Sequence, residues 1–195
     1  MMQRADHYYI RRTLKGDTNA FSELITRYRD LVFTVIFRVV KSREEAEEVA
    51  QDTFLKAFES LSSFRGEAKF STWLYSIAYR KALDQVRKNN RIKSVELVED
   101  ITEKQVQKIE NALDLIEQQQ RREVINKCIA ALADQDAAIV TFYYFEELSV
   151  REIATITGLT EDNIKVKLHR SRKKLFTLLK QFVLPEMTNS NGRAI

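Results

Sequence analysis

Chain breakers are scarce in this sequence: one proline, Pro185, and four glycines among 195 residues. Few positions can turn sharply, and no stretch alternates apolar and polar residues as a half-buried strand does. These absences exclude a strand-rich fold and predict an all-α protein. A single cysteine, Cys128, excludes an internal disulfide. Its neighbours Val124, Ile125, Ile129 and Leu132 fall on a helix face, so a buried thiol is expected. There are two histidines, His7 and His169, no Gly-rich phosphate loop and no metal-ligand spacing. The carboxylates recur at helical intervals, as solvated faces do. An enzyme is therefore disfavoured, and neither a cofactor nor a small-molecule substrate is expected. The longest apolar run, Leu31–Val40, falls short of the roughly 20 residues that span a bilayer, and Arg38 interrupts it. The opening "MMQRADHYYIRR" lacks the apolar centre of a signal peptide. A cytoplasmic chain with no direct membrane insertion is expected.

What is present is charge, unevenly placed. The net charge is +4 and 44% of residues are apolar, enough for a real core. Ser42–Ser60 carries six acidic and two basic residues. Arg65–Lys93 carries eight basic and two acidic, and Asn163–Lys180 seven basic and no acidic. Between them, Glu96–Glu123 is acidic, eight against four. The small total conceals two strongly positive segments, and local field decides what a surface attracts.

The pattern predicts one or two helices over about Asn19–Val40. It predicts another over "SREEAEEVAQDTFLKAFESL", with Ser42 as N-cap and Glu45 closing a capping box. A loop around Gly66 follows, then a helix from Ser71 or Thr72 to a frayed end at Asn89–Asn90. From about Arg91 to Gln120 apolar positions are sparse, which reads as a linker. Helices resume near Arg122 and run to about Val183, and a mobile tail follows Pro185. The resulting architecture is two small helical domains, residues 1–92 and 122–184, joined by a linker over 93–121, with a tail at 185–195.

The most informative stretch is "LSVREIATITGLTEDNIKVKLHRSRKKLFTLL". Ser149 and Glu152 make a second capping box, Gly158 supplies a turn, and Thr160 caps a longer basic helix with Glu161 and Asp162 in its first turn. That is a helix-turn-helix pattern. At about 100° per residue, Ile164, Leu168, Ser171, Leu175 and Leu179 form one stripe. Lys165, Lys167, Arg170, Arg172, Lys173 and Lys174 occupy the rest. A plain amphipathic helix usually mixes both signs on its solvated face; this one has no acid after Asp162, which favours DNA contact.

In "KFSTWLYSIAYRKALDQVRK", Tyr75, Tyr79, Ala82, Leu83 and Val86 share a face and are expected to pack inward. Trp73, Ile77, Arg80, Asp84 and Arg87 share another, and Trp73 suits either packing or stacking. Arg80, Lys81, Arg87 and Lys88 suit phosphate contact. The Phe64–Phe70 loop mixes aromatic, cationic and flexible residues, a combination fit to hold an unstacked base. The acidic helix repels DNA and suits a basic partner.

In this order, the three phrases resemble a bacterial RNA polymerase sigma factor of the extracytoplasmic-function class, sigma-70 family. The match runs from about Asn19 to Phe182, apart from the linker. "EAEEVAQDTFLKAF" is similar to the family's segment for core polymerase. The resemblance implies that Glu48, Gln51, Asp52 and Lys56 face it. "SFRGEAKFSTWLYSIAYRKALDQVRK" looks like the segment that melts and reads the minus-ten element. It implies roles for Phe64, Arg65, Gly66, Lys69, Phe70, Trp73, Arg80, Arg87 and Lys88. The helix-turn-helix looks like the minus-thirty-five reader. There the resemblance implies Thr160, Asn163, Lys165, Val166, Lys167, His169, Arg170 and Lys173. Two departures stand out: Val166 replaces a commonly small polar residue, and Leu132-Ala133 stands where Leu-Pro is often seen. Implied partners are core RNA polymerase, promoter DNA and an anti-sigma factor. The rival reading, a conventional helix-turn-helix regulator binding duplex DNA without polymerase, leaves the basic-aromatic helix unexplained.

Overall fold

The structure, a computed structural model, describes residues 2–89, 109 and 117–183. Every helix and turn among them is helical in kind, with no strand. An N-terminal helix α1 (Met2–Leu14), for which the sequence offered no signal, precedes the predicted set. It is fastened by a buried carboxylate: Asp6 accepts from the Tyr28 hydroxyl at 2.7 Å and pairs with Arg27. A buried charge is tolerated only when partnered in this way.

Helix α2 (Asn19–Val40) is a single helix. Leu24, Tyr28, Val32, Val35, Ile36 and Val39 recur at three- and four-residue steps and are buried. It ends on Lys41 in the left-handed region (φ 62°), whose N–H reaches the Phe37 carbonyl at 2.9 Å. A non-glycine residue there costs about 1 kcal/mol or more. The Lys41 side chain offsets that cost, bonding the Leu132 carbonyl at 2.9 Å and Asp134 at 2.8 Å.

Helix α3 (Arg43–Glu59) starts at once from Ser42, whose hydroxyl accepts from the Glu45 N–H. The expected capping box is only half made, because Glu45 turns its carboxylate to Asn89 at 2.8 Å. A short 3-10 turn at Leu61–Ser63 leads into the Phe64–Lys69 loop, and α4 (Phe70–Lys88) packs on α2 and α3.

In the second half, α5 (Gln118–Ala130) begins four residues earlier than the pattern indicated. Ile109, inside the expected linker, is helical and buried. The rest of that stretch up to Ile116, and the tail from Pro185 on, lie outside the described residues. Helix α6 (Asp134–Tyr144) is buried at every position from Ala137 to Phe142. A helix apolar all round is an interior helix, and α6 lies against α2 as well as α5 and the last helix. Helices α7 (Val150–Thr157) and α8 (Glu161–Val183) complete the helix-turn-helix.

The two halves share one core. Ala138, Ile139, Phe142, Leu148, Ile153 and Ile156 join the same apolar cluster as Leu24, Val35, Leu74 and Tyr75. Phe142 is the clearest link: it is fully buried, 5.7 Å from the Tyr75 ring and 6.3 Å from that of Tyr79. Phe142→Ala is expected to lower stability by about 3–5 kcal/mol, read as an earlier midpoint in urea unfolding.

Candidate nucleic-acid interface

Three surfaces carry the residues singled out in the sequence. On α3, Glu48, Gln51, Asp52 and Lys56 are all exposed. Asp52 meets Lys81 of α4 at 3.2 Å, and Lys56 sits 3.9 Å from Glu59. Sequence reading missed Leu55, which is 58% exposed on this helix. At about 100° per residue it falls in the middle of the arc set by Glu48, Gln51, Asp52 and Glu59. An exposed leucine inside an acidic stripe is the local signal that could have found it.

The second surface is the loop before α4. Arg65, Gly66 and Lys69 are exposed, and Gly66 adopts φ 76°, a conformation that favours glycine. Phe70 is different from what the motif suggested: it is the first residue of α4 and is buried, 5.6 Å from Tyr28. Phe64 and Trp73 are half-buried over it, at 5.6 Å from its ring and 5.4 Å from each other. The aromatics form a supported floor, and the cations and Gly66 form its rim. Further along α4, Arg80, Arg87 and Lys88 are exposed; Arg87 pairs with Asp84 at 3.1 Å.

The third surface is the helix-turn-helix. Its capping box is complete: the Ser149 N–H donates to Glu152 at 2.9 Å and the Glu152 N–H donates to the Ser149 hydroxyl at 3.2 Å. Gly158 takes φ 74°, and its N–H closes α7 on the Ala154 carbonyl at 2.9 Å. The Thr160 hydroxyl accepts from Asn163 N–H at 3.3 Å. Thr160, Asn163, Lys165, Val166, His169 and Arg170 are exposed along one side of α8. Ile164, Leu168 and Ser171 are buried on the other, with Leu175 and Leu179 half-buried. Lys165 pairs with Asp162 at 3.1 Å. Lys167 is not a free donor: it is half-buried and tied to Asp136 of α6 at 2.8 Å. Lys173 is half-buried as well.

The family profile described as sigma-70 region 2 matches residues 24–92, and that for sigma-70, region 4 matches 122–175. An RNA polymerase sigma factor of Bacillus subtilis, YlaC, is 30% identical over 159 residues, covering 80% of this chain and 90% of its own length. The chain belongs to the sigma-70 family. Its extracytoplasmic-function class follows from the ECF sigma factor SigW of the same organism, 29% identical over 172 residues, with 85% of this chain and 92% of that protein covered. The fold agrees. The sigma factor RpoE of Bartonella quintana, solved with the anti-sigma factor NepR, superposes with a TM-score of 0.63 at 20% identity, covering 82% of this sigma factor and 96% of that chain. Members of this family are transcription initiation factors rather than catalysts. No described helix of this one is long and apolar enough to cross a membrane.

Contacts between the halves set how the loop before α4 and the helix-turn-helix stand to each other. Tyr75 donates its hydroxyl to Glu146 at 3.1 Å. Burial pushes the Glu146 carboxyl above its ordinary value; the Tyr75 hydrogen bond and the Arg38 charge pull it back only in part. Burial also raises Tyr75, and the neighbouring carboxylate adds to it. Arg38 lies 4.0 Å over the Phe145 ring and donates to the Thr141 hydroxyl at 3.0 Å. For Glu152, burial raises the carboxyl, but hydrogen bonds from Lys69 and from Ser149 outweigh it and leave it below the usual range.

The sign for Glu146 follows from linkage. A carboxyl whose folded-state pKa is raised holds its proton more tightly in the native state. Its contribution to stability is therefore present at low pH and is lost as pH climbs above 4.5 through the raised value. Glu146→Gln, which cannot ionise, is expected to flatten that part of the stability–pH curve in urea titrations across this window. An unchanged slope would place the native titration elsewhere.

Proposed function

We propose that this sigma factor binds core RNA polymerase through the exposed face of α3, and reads promoter DNA through the α4 loop and α8. The family assignment supplies the activity: recruitment of core polymerase to promoters and initiation of transcription. The observation that carries the residue-level reading is the separation of outward-facing charge. The α3 face is acidic around Leu55, while α8 presents Lys165, His169 and Arg170 with no acid beyond Asp162.

On α3, Glu48, Gln51, Asp52 and Lys56 ring Leu55, and burial of a leucine against a partner contributes about 1.5–3 kcal/mol. At the minus-ten element, a base of the melted strand stacks on the Phe64–Trp73 surface, with Arg65 and Lys69 at phosphates. Stacking of about 1–3 kcal/mol per base offsets the unstacking that melting requires. Phe70 acts from beneath as the floor of that surface. Arg80, Arg87 and Lys88 continue the phosphate track. In the upstream element, Asn163, Lys165, Val166, His169 and Arg170 reach base edges or backbone; Thr160 fixes the start of the helix. Lys167 and Lys173 stand nearer the core and take the flanking backbone.

Residues 1–92 and 122–184 act as the two DNA-reading units, with the acidic stretch between them as a connector. Tethering makes two modest DNA contacts act together through effective concentration. Its site of action is the cytoplasm, where polymerase works. By analogy with the relative held by NepR, an anti-sigma protein is its expected inhibitor.

The deciding experiment is in vitro transcription from a promoter library with purified core polymerase. Initiation is expected only when the chain is added; no initiation at any promoter contradicts the proposal. Leu55→Asp is expected to weaken core binding at least tenfold by fluorescence anisotropy while leaving the fold intact by circular dichroism. Arg170→Ala is expected to weaken upstream DNA binding by about 1–3 kcal/mol. Lys165→Ala is expected to weaken it too. Lys167→Ala should do so less, because its ammonium is already paired with Asp136. Equal affinity in all three variants contradicts the placement of α8 on DNA.

A further inference from the structure

We propose that the cavity between α1, the loop before α4 and α7 is an oxyanion site that takes a phosphate group. This goes beyond the reading of the promoter-contacting surfaces and does not depend on it. The cavity has a volume of about 740 Å³, within the range of small-ligand sites. His7 of α1, Lys69 and Thr72 at the start of α4, and Arg151 of α7 line it.

The start of α4 is left open. Its N-cap is Lys69, whose side chain cannot accept a hydrogen bond, and its first turn holds no acid. The N–H groups of Phe70, Ser71 and Thr72 have no partner among the described residues. Helices α3, α7 and α8 meet the same need with Ser42, Ser149 and Thr160. At 19 residues α4 carries a full macrodipole, so its N-terminus presents partial positive charge and unmatched donors.

Thr72 adds an independent observation. It is 1% exposed, it lines the cavity, and its hydroxyl has no hydrogen-bond partner. Thr13, Thr53 and Thr141 give their hydroxyls to the carbonyl four residues back, at 2.7 to 2.9 Å. In the first turn of α4, Thr72 has no helical carbonyl at that position. A buried hydroxyl without a partner is unfavourable until a ligand supplies one.

The carboxylates in reach are already engaged. Asp6 accepts from Tyr28 and pairs with Arg27. Glu152 takes Lys69 at 2.7 Å, together with the N–H and the hydroxyl of Ser149. Glu67 is exposed at the rim. The guanidinium of Arg151 has no ion pair or hydrogen bond among the described residues. What is unmatched here is therefore three N–H groups, a hydroxyl and a guanidinium, all donors. An oxygen-rich anion answers that set, whereas a cation or an apolar ligand does not. Lys69, 49% exposed, can share its ammonium between Glu152 and the ligand. The volume leaves room for an organic group beside the phosphate, so a small phosphate ester fits as well as inorganic phosphate. A phosphate of a nucleic-acid strand offers the same oxygens.

Isothermal titration of the full-length isolated chain with inorganic phosphate, at ionic strength held constant with chloride, tests the site. Saturable binding of one phosphate is expected, with sulfate competing. Arg151→Gln is expected to weaken it about tenfold and Thr72→Val several-fold. Lys15→Ala, which removes a cation of α1 outside the cavity, should leave it unchanged. Thr72→Val keeps the shape and deletes the unpartnered hydroxyl, so its urea midpoint should be no lower than that of the wild type. A lower midpoint shows the hydroxyl to be satisfied already and overturns the argument built on it. Displacement of phosphate by glycerol phosphate, but not by a single-stranded oligonucleotide, assigns the site to a free phosphorylated molecule. Displacement by the oligonucleotide, lost in Arg151→Gln, assigns it to a strand. Binding that does not saturate, or that is equal in the wild type, Arg151→Gln and Thr72→Val, overturns the site. Neither polymerase nor promoter enters the experiment, so its failure leaves the promoter reading intact.

Discussion

Tyr75 sets a constraint felt across the molecule. Its ring lies 5.7 Å from Phe142 and its hydroxyl donates to Glu146 at 3.1 Å, so one side chain from α4 is both apolar and polar anchor for the second half. The contact orients α4: the face holding Tyr75 and Tyr79 is spent on packing, and Arg80, Asp84, Arg87 and Lys88 are left outside. It also draws a carboxylate partly out of water. Glu146 is accommodated there because Tyr75 donates to it and Arg38 stands near.

Around this anchor the chain divides its charge. Inward, cations of the first half meet carboxylates of the second; outward, an acidic α3 and a basic α8 point away. The inward pairs are peripheral to an apolar core, so they orient the halves more than they bind them. Much of the closing energy comes from burial of Phe142 and the side chains of α6 between α2 and α8. The interface is thus apolar at its centre and ionic at its edge.

Local features were legible in the sequence and distant ones were not. The Ser149–Glu152 box, the Gly158 turn and the Thr160 cap each depend on residues within four positions, and all three formed. The Ser42–Glu45 box has the same local pattern but lost half of itself to Asn89, 44 residues away. Phe70 belongs to a loop motif by composition, yet Tyr28 from α2 draws it into the core. Lys167 sits on the polar side of its helix by angle, and Asp136 still captures it. Helix α6 shows no periodicity because its middle, from Ala137 to Phe142, is covered on every side, and α1 is tied in part by Asp6, through partners more than twenty residues distant. The contact between the halves leaves no trace in any short window, so the apolar cluster that runs across both had no signal in the sequence.

That shared core is the central claim, and the composition supplies a probe in each half. Trp73 is the lone tryptophan and lies in the first half; Cys128, the lone cysteine, lies in the second, fully buried with its thiol pushed up to about 11. Equilibrium urea unfolding of the isolated chain can be followed by Trp73 fluorescence and by the reactivity of Cys128 toward a thiol reagent. A shared core predicts coincident transitions with one midpoint. Two separate transitions, with one probe released while the other remains native, would contradict it.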